Sequence, residues 1–197
     1  MTLYCATTNA GKLREFRLAV ARHSGGRFEV EPLPGLADLP APAENGPTFE
    51  ANAVEKALYY SRFAPGLLFV DDSGIEVDAL GGAPGVWSAR YAGEGAGDEA
   101  NNRLLLERMA GVTDRTARFV CVIALAEQGA LRGTFRGEVE GQLTEAPRGW
   151  NGFGYDPLFF YPPFGCTLAE VSGDRKLSVS HRGRAIEGML QALADRR

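Results

Sequence analysis

The chain has 197 residues, 21 Lys and Arg against 25 Asp and Glu for a formal charge of −4, and 45% hydrophobic residues. That apolar content excludes a wholly disordered chain and suits about one domain, and the acidic balance argues against stable nucleic-acid binding, which needs a basic face. The three cysteines, Cys5, Cys121 and Cys166, are widely spaced without a CxxC pair, which suggests neither a disulfide framework nor a thiolate zinc site. No signal-peptide pattern opens the chain, and no apolar run approaches the roughly 18 residues of a membrane span. The expectation is a cytoplasmic protein without a membrane partner.

In chain order, Leu3 to Thr7 predicts a strand, and Leu13, Phe16 and Val20 fall at the spacing of an amphipathic helix. A short strand is expected around Phe28 to Val30. Residues 32 to 47 then hold five prolines and two glycines, a long loop of the kind that often carries function. Thr48 can cap a helix whose buried face is Phe49, Ala53, Ala57 and Tyr60. Leu67 to Val70 reads as a short buried strand delivering Asp71-Asp72-Ser73-Gly74 at its end. A Gly-rich passage from Gly81 to Gly97 precedes a helix near Asp98 to Met109. Phe119 to Ala126 is almost uninterrupted apolar sequence, fit for a central strand, and Gly129 separates it from Leu131 to Val139 in an antiparallel hairpin. A strand at Leu158 to Tyr161 and a final helix marked by Ile186, Met189, Leu190 and Leu193 complete an α/β reading with a mixed sheet.

Several segments could carry chemistry. Thr7-Thr8-Asn9-Ala10-Gly11-Lys12 joins the first strand to the first helix, where free backbone N–H groups and the helix dipole favour an anion. It lacks the Walker A spacing, and a capping turn with a solvated lysine is the plainer alternative. Asp71 and Asp72 could project into a cleft; adjacent strand residues point oppositely, so only one need reach a metal. Glu44 could add a second carboxylate or lie exposed. Asn52 and Lys56 share a helix face, either as a solvated stripe or as a polar edge toward phosphates. Gly152-Phe153-Gly154-Tyr155-Asp156-Pro157 sets two aromatics among glycines, which permits close ligand approach and base stacking. Lys176 and Ser180-His181-Arg182-Gly183 precede the last helix, where cations oppose the dipole unless a ligand engages them. His23, at the end of the first helix, suits the dipole there and reads as structural. No Ser-His-Asp arrangement and no histidine cluster for zinc is evident.

Together these segments resemble the Ham1/RdgB family of inosine triphosphate pyrophosphatases. The resemblance rests on residues 7–12, Thr48-Phe49-Glu50-Ala51-Asn52-Ala53 with Lys56-Ala57, Asp71-Asp72-Ser73-Gly74, Gly81-Gly82-Ala83-Pro84-Gly85 through Ser88-Ala89-Arg90-Tyr91, residues 152–157, and Ser180-His181-Arg182-Gly183. One departure is visible: the family usually has Glu directly before the helix Asn, where Ala51 stands here.

The resemblance implies an elongated α/β fold with a mixed central sheet flanked by helices, two lobes and a nucleotide-binding cleft, forming one pyrophosphatase domain over 1–197. It implies an Mg²⁺-dependent, homodimeric hydrolase that converts ITP, dITP or XTP to the monophosphate and pyrophosphate, cleansing the nucleotide pool. Asp72 would be the general base and a metal ligand, with Glu44 as the second metal residue and Asp71 supporting the acidic site. Thr7, Thr8, Asn9, Ala10, Gly11, Lys12, Lys56 and Ser73 would position the triphosphate. Phe153 would stack on the base, Gly154, Tyr155 and Asp156 would enclose the nucleoside, and Lys176, His181 and Arg182 would approach its 6-oxo edge. The rival readings are a Maf-like nucleotide pyrophosphatase of similar fold and a nucleotide-binding module that has lost hydrolysis, the latter supported by Ala51.

Overall fold

A computed structural model describes residues 1–195. Seven strands form one mixed sheet, flanked by helices, in the order β2-β1-β3-β4-β5-β6-β7. The strands are β1 (Thr2–Cys5), β2 (Glu29–Pro32), β3 (Leu68–Val77), β4 (Thr116–Glu127), β5 (Ala130–Leu143), β6 (Phe159–Tyr161) and β7 (Cys166–Thr167). The helices are α1 (Ala10–Ser24), α2 (Phe49–Tyr60), α3 (Gly97–Arg108), α4 (Gly173–Leu177) and α5 (His181–Asp195). β1 pairs in parallel with β2 and β3, whereas β6 pairs antiparallel with β5 and β7. β4 takes the central place expected of its apolar run. β4 and β5 are joined by Gln128 and Gly129, both at positive φ (51° and 79°), as a two-residue hairpin turn requires. Among the described residues no helix is long and apolar enough to cross a membrane.

The chain divides into two compact units. The first comprises Met1–Asp72, Cys121–Gly137 and the segment from His181 on; the second comprises Ser73–Val120 and Glu138–Ser180.

In the first unit, α1 starts at Asn9, whose side chain accepts from the Lys12 N–H, and stops at Gly25 in the left-handed region. Such an N-cap contributes about 1 kcal/mol. Phe16 and Val20 are buried as their spacing predicts, and the Phe16 ring meets Phe69 edge-on at 5.2 Å. α2 starts at Thr48, which accepts from the Ala51 N–H, and buries Phe49, Ala53, Ala57 and Tyr60. Cys5 and Cys121 are fully buried free thiols, and desolvation holds both thiols well above their ordinary range. Such thiols act as small core hydrophobes. Gly137 on β5 has no room for a side chain: a Cβ there would stand 2.6 Å from the Ala185 nitrogen of α5.

The second unit packs Ile75, Val77, Leu105, Met109, Phe119, Val139, Leu158 and Phe159 into one apolar cluster. Arg115 fastens its edge, donating to the carbonyls of Met109, Leu143 and Thr144.

Two sequence expectations need correction. β3 does not end before Asp71 but runs ten residues to Val77. The Ser73-Gly74 pair stays within the strand: the Ile75 N–H donates to Ser88 Oγ at 2.9 Å, and Gly74 lies so close to Ser88 and the Gly85 carbonyl that only glycine fits. Asp71 and Asp72 are therefore mid-strand residues. His181, Arg182 and Gly183 lie inside the first turn of α5 rather than before it. Lys176 belongs to α4, too short for a periodic signal, and Ser172 caps that helix by accepting from the Arg175 N–H.

Candidate active site

β3 sets the first unit's site. Its alternation sends Asp71 and Asp72 to opposite faces, and each meets different partners. Asp71, with its side chain 2% exposed, pairs with Lys12 at 2.8 Å. Burial pushes the Asp71 carboxyl up, but Lys12, Arg182 and Lys56 more than reverse this and hold it at about 2. Lys12 is therefore not the solvated lysine of the plainer reading. It reaches from the first turn of α1 to the strand.

Asp72 is gripped from α2. Asn52 donates from Nδ2 to Asp72 Oδ2 at 3.0 Å, and Lys56 Nζ donates to Asp72 Oδ1 at 3.2 Å, to Glu44 Oε1 at 2.7 Å and to the Asp71 carbonyl at 3.0 Å. Asn52 and Lys56, one helical turn apart, thus form the polar edge that their spacing allowed rather than a solvated stripe. Desolvation raises the Asp72 carboxyl from its ordinary value, and Lys56 and Asn52 offset this only in part. Lys56 stays charged, because burial lowers it but Asp72, Asp71 and Glu44 raise it further. The two neighbouring acids are shifted in opposite directions, as paired carboxylates with separate roles are.

Glu44, at 34% side-chain exposure, is brought in by its loop. The loop is pinned where the Gly46 N–H donates to Asn52 Oδ1 at 2.7 Å, and a Cβ at Gly46 would stand 2.6 Å from that same oxygen. Asn52, which the sequence offered only as one member of a helix face, holds both the loop and Asp72. Its long-range partners leave no sequence signal.

Glu44 and Asp72 converge on one ammonium, so their oxygens face a common point. Among the described residues no cluster of three or more His, Cys, Asp or Glu could hold a metal. Two hard oxygen donors without a third protein ligand fit Mg²⁺, which keeps waters and takes substrate phosphate oxygens as its remaining ligands. Glu50, the acid beside Ala51, does not join them; it accepts from Thr134 Oγ1 at 2.8 Å.

At the start of α1, Thr7 Oγ1 accepts from the Asn9 N–H and Asn9 Oδ1 from the Lys12 N–H. Thr8, Asn9 and Ala10 are exposed, with Gly11 half-buried. At the start of α5, Arg182 is buried and donates to Glu15 Oε2 of α1 at 3.0 Å, and His181 is buried beside it. Glu15, on the turn after Lys12, is a partner that sequence reading did not single out.

The second unit holds the aromatic loop. Asp156 is 1% exposed, accepts from the Phe153 N–H at 2.9 Å and pairs with buried Lys176 at 2.5 Å. Lys176 Nζ also lies 4.9 Å from the centre of the Phe153 ring, a cation–π contact. Tyr155 is a core residue whose hydroxyl donates to the Ser88 carbonyl at 2.7 Å, and burial raises its phenol well above the usual range. Trp150, a few residues ahead of Phe153, is 92% exposed although its backbone is tied to the Ala169 carbonyl. Ser73 follows Asp72 in β3 as the first residue of this unit.

A mixed α/β sheet carrying a lysine-bridged acid set and a capped, exposed helix start defines a protein of the phosphate-handling α/β class. The particular family follows from comparison: the Ham1 family profile matches residues 3–192, and the chain belongs to the Ham1 family. It is 49% identical to the dITP/XTP pyrophosphatase of Acidobacterium capsulatum, covering 98% of each chain. It is also 49% identical to the dITP/XTP pyrophosphatase of an Exiguobacterium species, over 94% of this chain and 93% of that one. Among solved structures, the Staphylococcus aureus Ham1 protein superposes with a TM-score of 0.86 at 36% identity, covering 100% of both chains. A Mycobacterium abscessus nucleoside-triphosphatase, described as a dITP/XTP pyrophosphatase, superposes at 0.73 and 36% identity over 96% of this chain and 99% of that one.

Proposed function

We propose that the chain hydrolyses non-standard purine nucleoside triphosphates, ITP, dITP and XTP, to the monophosphate and pyrophosphate, with residues 1–197 forming one pyrophosphatase domain. The observation that carries this reading is Asp72: a buried carboxylate with a raised pKa, oriented by Asn52 and Lys56 beside a second acid. The relatives named dITP/XTP pyrophosphatase, matched over nearly full length, support the substrate class.

In this mechanism Asp72 takes a proton from water as the water oxygen bonds to the α-phosphorus. The bond from that phosphorus to the α–β bridging oxygen breaks, and pyrophosphate leaves with the bond's electron pair. Burial, which raises the Asp72 carboxyl from its ordinary value, makes it a better proton acceptor than an exposed Asp. Lys12 and Lys56, with the backbone and side chains of Thr7, Thr8, Asn9, Ala10 and Gly11 and the Ser73 hydroxyl, hold phosphate oxygens as charge passes onto them. Glu44 and Asp72 would hold Mg²⁺, which supplies charge neutralisation at the phosphates. Asp71 keeps Lys12 in place.

Base recognition is assigned to Phe153 by stacking, with Gly154, Tyr155 and Asp156 shaping the loop and Lys176, His181 and Arg182 as donors. Donors toward position 6 accept hypoxanthine and xanthine, which carry an oxygen there, and disfavour adenine, which carries an amino group; guanine shares the 6-oxygen, so its rejection must turn on its 2-amino group. A buried hydrogen-bonding mismatch of this kind discriminates by up to about 10⁴ to 10⁵. We place the protein in the cytoplasm as a homodimer, the free thiols fitting a reducing compartment.

The test is metal-depleted protein with ITP, XTP, ATP, GTP and dTTP, with and without Mg²⁺, assaying pyrophosphate separately from orthophosphate. IMP and pyrophosphate formed only with Mg²⁺, with ATP and GTP spared, is the expected result. Preference for dTTP, or tight binding without turnover, would overturn it.

A further inference from the structure

Two residues of α3 that no part of the phosphate chemistry uses close on a single residue of the aromatic loop, Gly154. Asp98 Oδ2 accepts from the Gly154 N–H at 2.6 Å, and Asn102 Nδ2 donates to the Gly154 carbonyl at 3.0 Å. The two lie four residues apart, so they stand on one face of the helix. One takes the donor and the other the acceptor of the same residue. Gly154 itself has φ +62° with nothing within 4 Å of where a Cβ would be, so its conformation, not crowding, calls for glycine. Helix α3 thereby fixes a residue that would otherwise be the freest in the loop.

The loop's own bonds stop short of this. Asp156 accepts from the Phe153 N–H and donates its own N–H to the Phe153 carbonyl at 3.3 Å, while the Gly154 N–H and carbonyl are taken up by α3. Asn102 also looks unlike a residue kept for stability. It is buried, and among the described residues its Oδ1 has no hydrogen-bonding partner, a cost that an apolar side chain at the same helical position would avoid. The bond it does make goes to Gly154.

We propose that Asp98 and Asn102 are positioning residues that clamp Gly154 by the two peptides flanking it and so set where the Phe153 ring stands for base stacking. The proposal rests on the base-recognition role given above to the Phe153 loop. It assigns to α3 a part in nucleotide selectivity without contact with the phosphates.

The experiment compares the full chain with Asp98→Ala, Asp98→Asn and Asn102→Leu, reading three quantities. The first is hydrogen exchange at the Gly154 amide by NMR. The second is KM and kcat for ITP and ATP with Mg²⁺. The third is affinity for tripolyphosphate, which has phosphates but no base. Asp98→Ala is expected to speed Gly154 exchange and raise KM for ITP about tenfold, the order set by loss of one charge-assisted bond. Its kcat and tripolyphosphate affinity stay near wild type, and the preference for ITP over ATP narrows. Asp98→Asn, which keeps an acceptor oxygen, restores most of both. Asn102→Leu raises KM without lowering Tm, which a purely structural asparagine would not do.

Unchanged KM and base preference in both Asp98→Ala and Asn102→Leu would overturn the proposal, as would an equal loss of tripolyphosphate affinity. Failure of Asp98→Asn to restore function would also overturn it. If the wild-type chain does not turn over ITP at all, the proposed activity fails. The Gly154 exchange rates then decide the clamp separately, equal rates in all variants removing it.

Discussion

Asp71 and Asp72 are adjacent in β3, yet their carboxyls are driven in opposite directions. Three cations hold Asp71 at about 2 against its burial, whereas burial wins at Asp72 and raises it. The strand's pleat creates the difference by giving each acid its own neighbours.

Asp72→Asn should lower kcat by about 10² to 10⁴, the usual worth of a positioned base, while nucleotide binding persists. A carboxyl with a raised pKa costs the folded state stability at neutral pH, because its contribution is present at low pH and is lost as pH rises through the folded-state pKa. An amide carries no such cost, so Tm of the variant should be at or above wild type. Steady-state kinetics beside a thermal melt checks both. Undiminished turnover would remove Asp72 from the role of base.

The sign reverses at Asp71. Its folded-state pKa is depressed, so its contribution is fully present above the unfolded value of about 4 and fades as pH falls toward 2. In metal-free protein, Asp71→Asn should be less stable than wild type at pH 7 by roughly 2 to 3 kcal/mol, and the gap should close between pH 4 and pH 2. Urea unfolding across that range measures it; a gap independent of pH would show that charge is not the cause.

Gly46→Ala places a methyl 2.6 Å from Asn52 Oδ1 and 2.9 Å from the Ala51 Cβ. The loop must shift and the Gly46–Asn52 bond is lost, which carries Glu44 away from Lys56. The expected outcome is a higher Mg²⁺ concentration for half-maximal activity, with a smaller change in ITP KM at saturating metal. A Mg²⁺ titration of initial rates checks this, and an unchanged midpoint would show that Glu44 keeps its place without the tether.

Much of this arrangement was open to reading and some was not. Helical spacing placed Asn52 with Lys56 and gave the buried face of α2 correctly, because local periodicity records local burial. The same spacing was silent on Asp72, twenty residues away, and on the Gly46 loop, because nothing in a chain marks which distant group a polar face will meet. β3 was read too short for a related reason. Gly74 is a breaker by composition and a strand residue by tertiary contact, with Ser88 supplying the bond that keeps the strand going. The Asp98 and Asn102 spacing on α3 was visible, but its target, a peptide some fifty residues on, was not.

Lys176 and Asp156 form an ion pair whose side chains are 4% and 2% exposed. Lys176→Met alone should destabilise by about 3 to 5 kcal/mol, because it takes the lysine charge away from a buried carboxylate. The double variant Lys176→Met, Asp156→Asn should recover part of that loss while still lacking base discrimination. Chemical denaturation of the single and double variants reads the pair's structural share, and their kcat/KM ratio for ITP over ATP reads its recognition share.

Trp150 carries one further consequence. The chain has two tryptophans, and Trp150 stands almost wholly in water on a loop whose backbone is tied down. Its indole is therefore a built-in optical label three residues from the ring assigned to stack on the base. With Trp87→Phe leaving it as the sole tryptophan, occupancy of the aromatic loop becomes legible as a change in indole emission, in real time and without a dye attached to either partner.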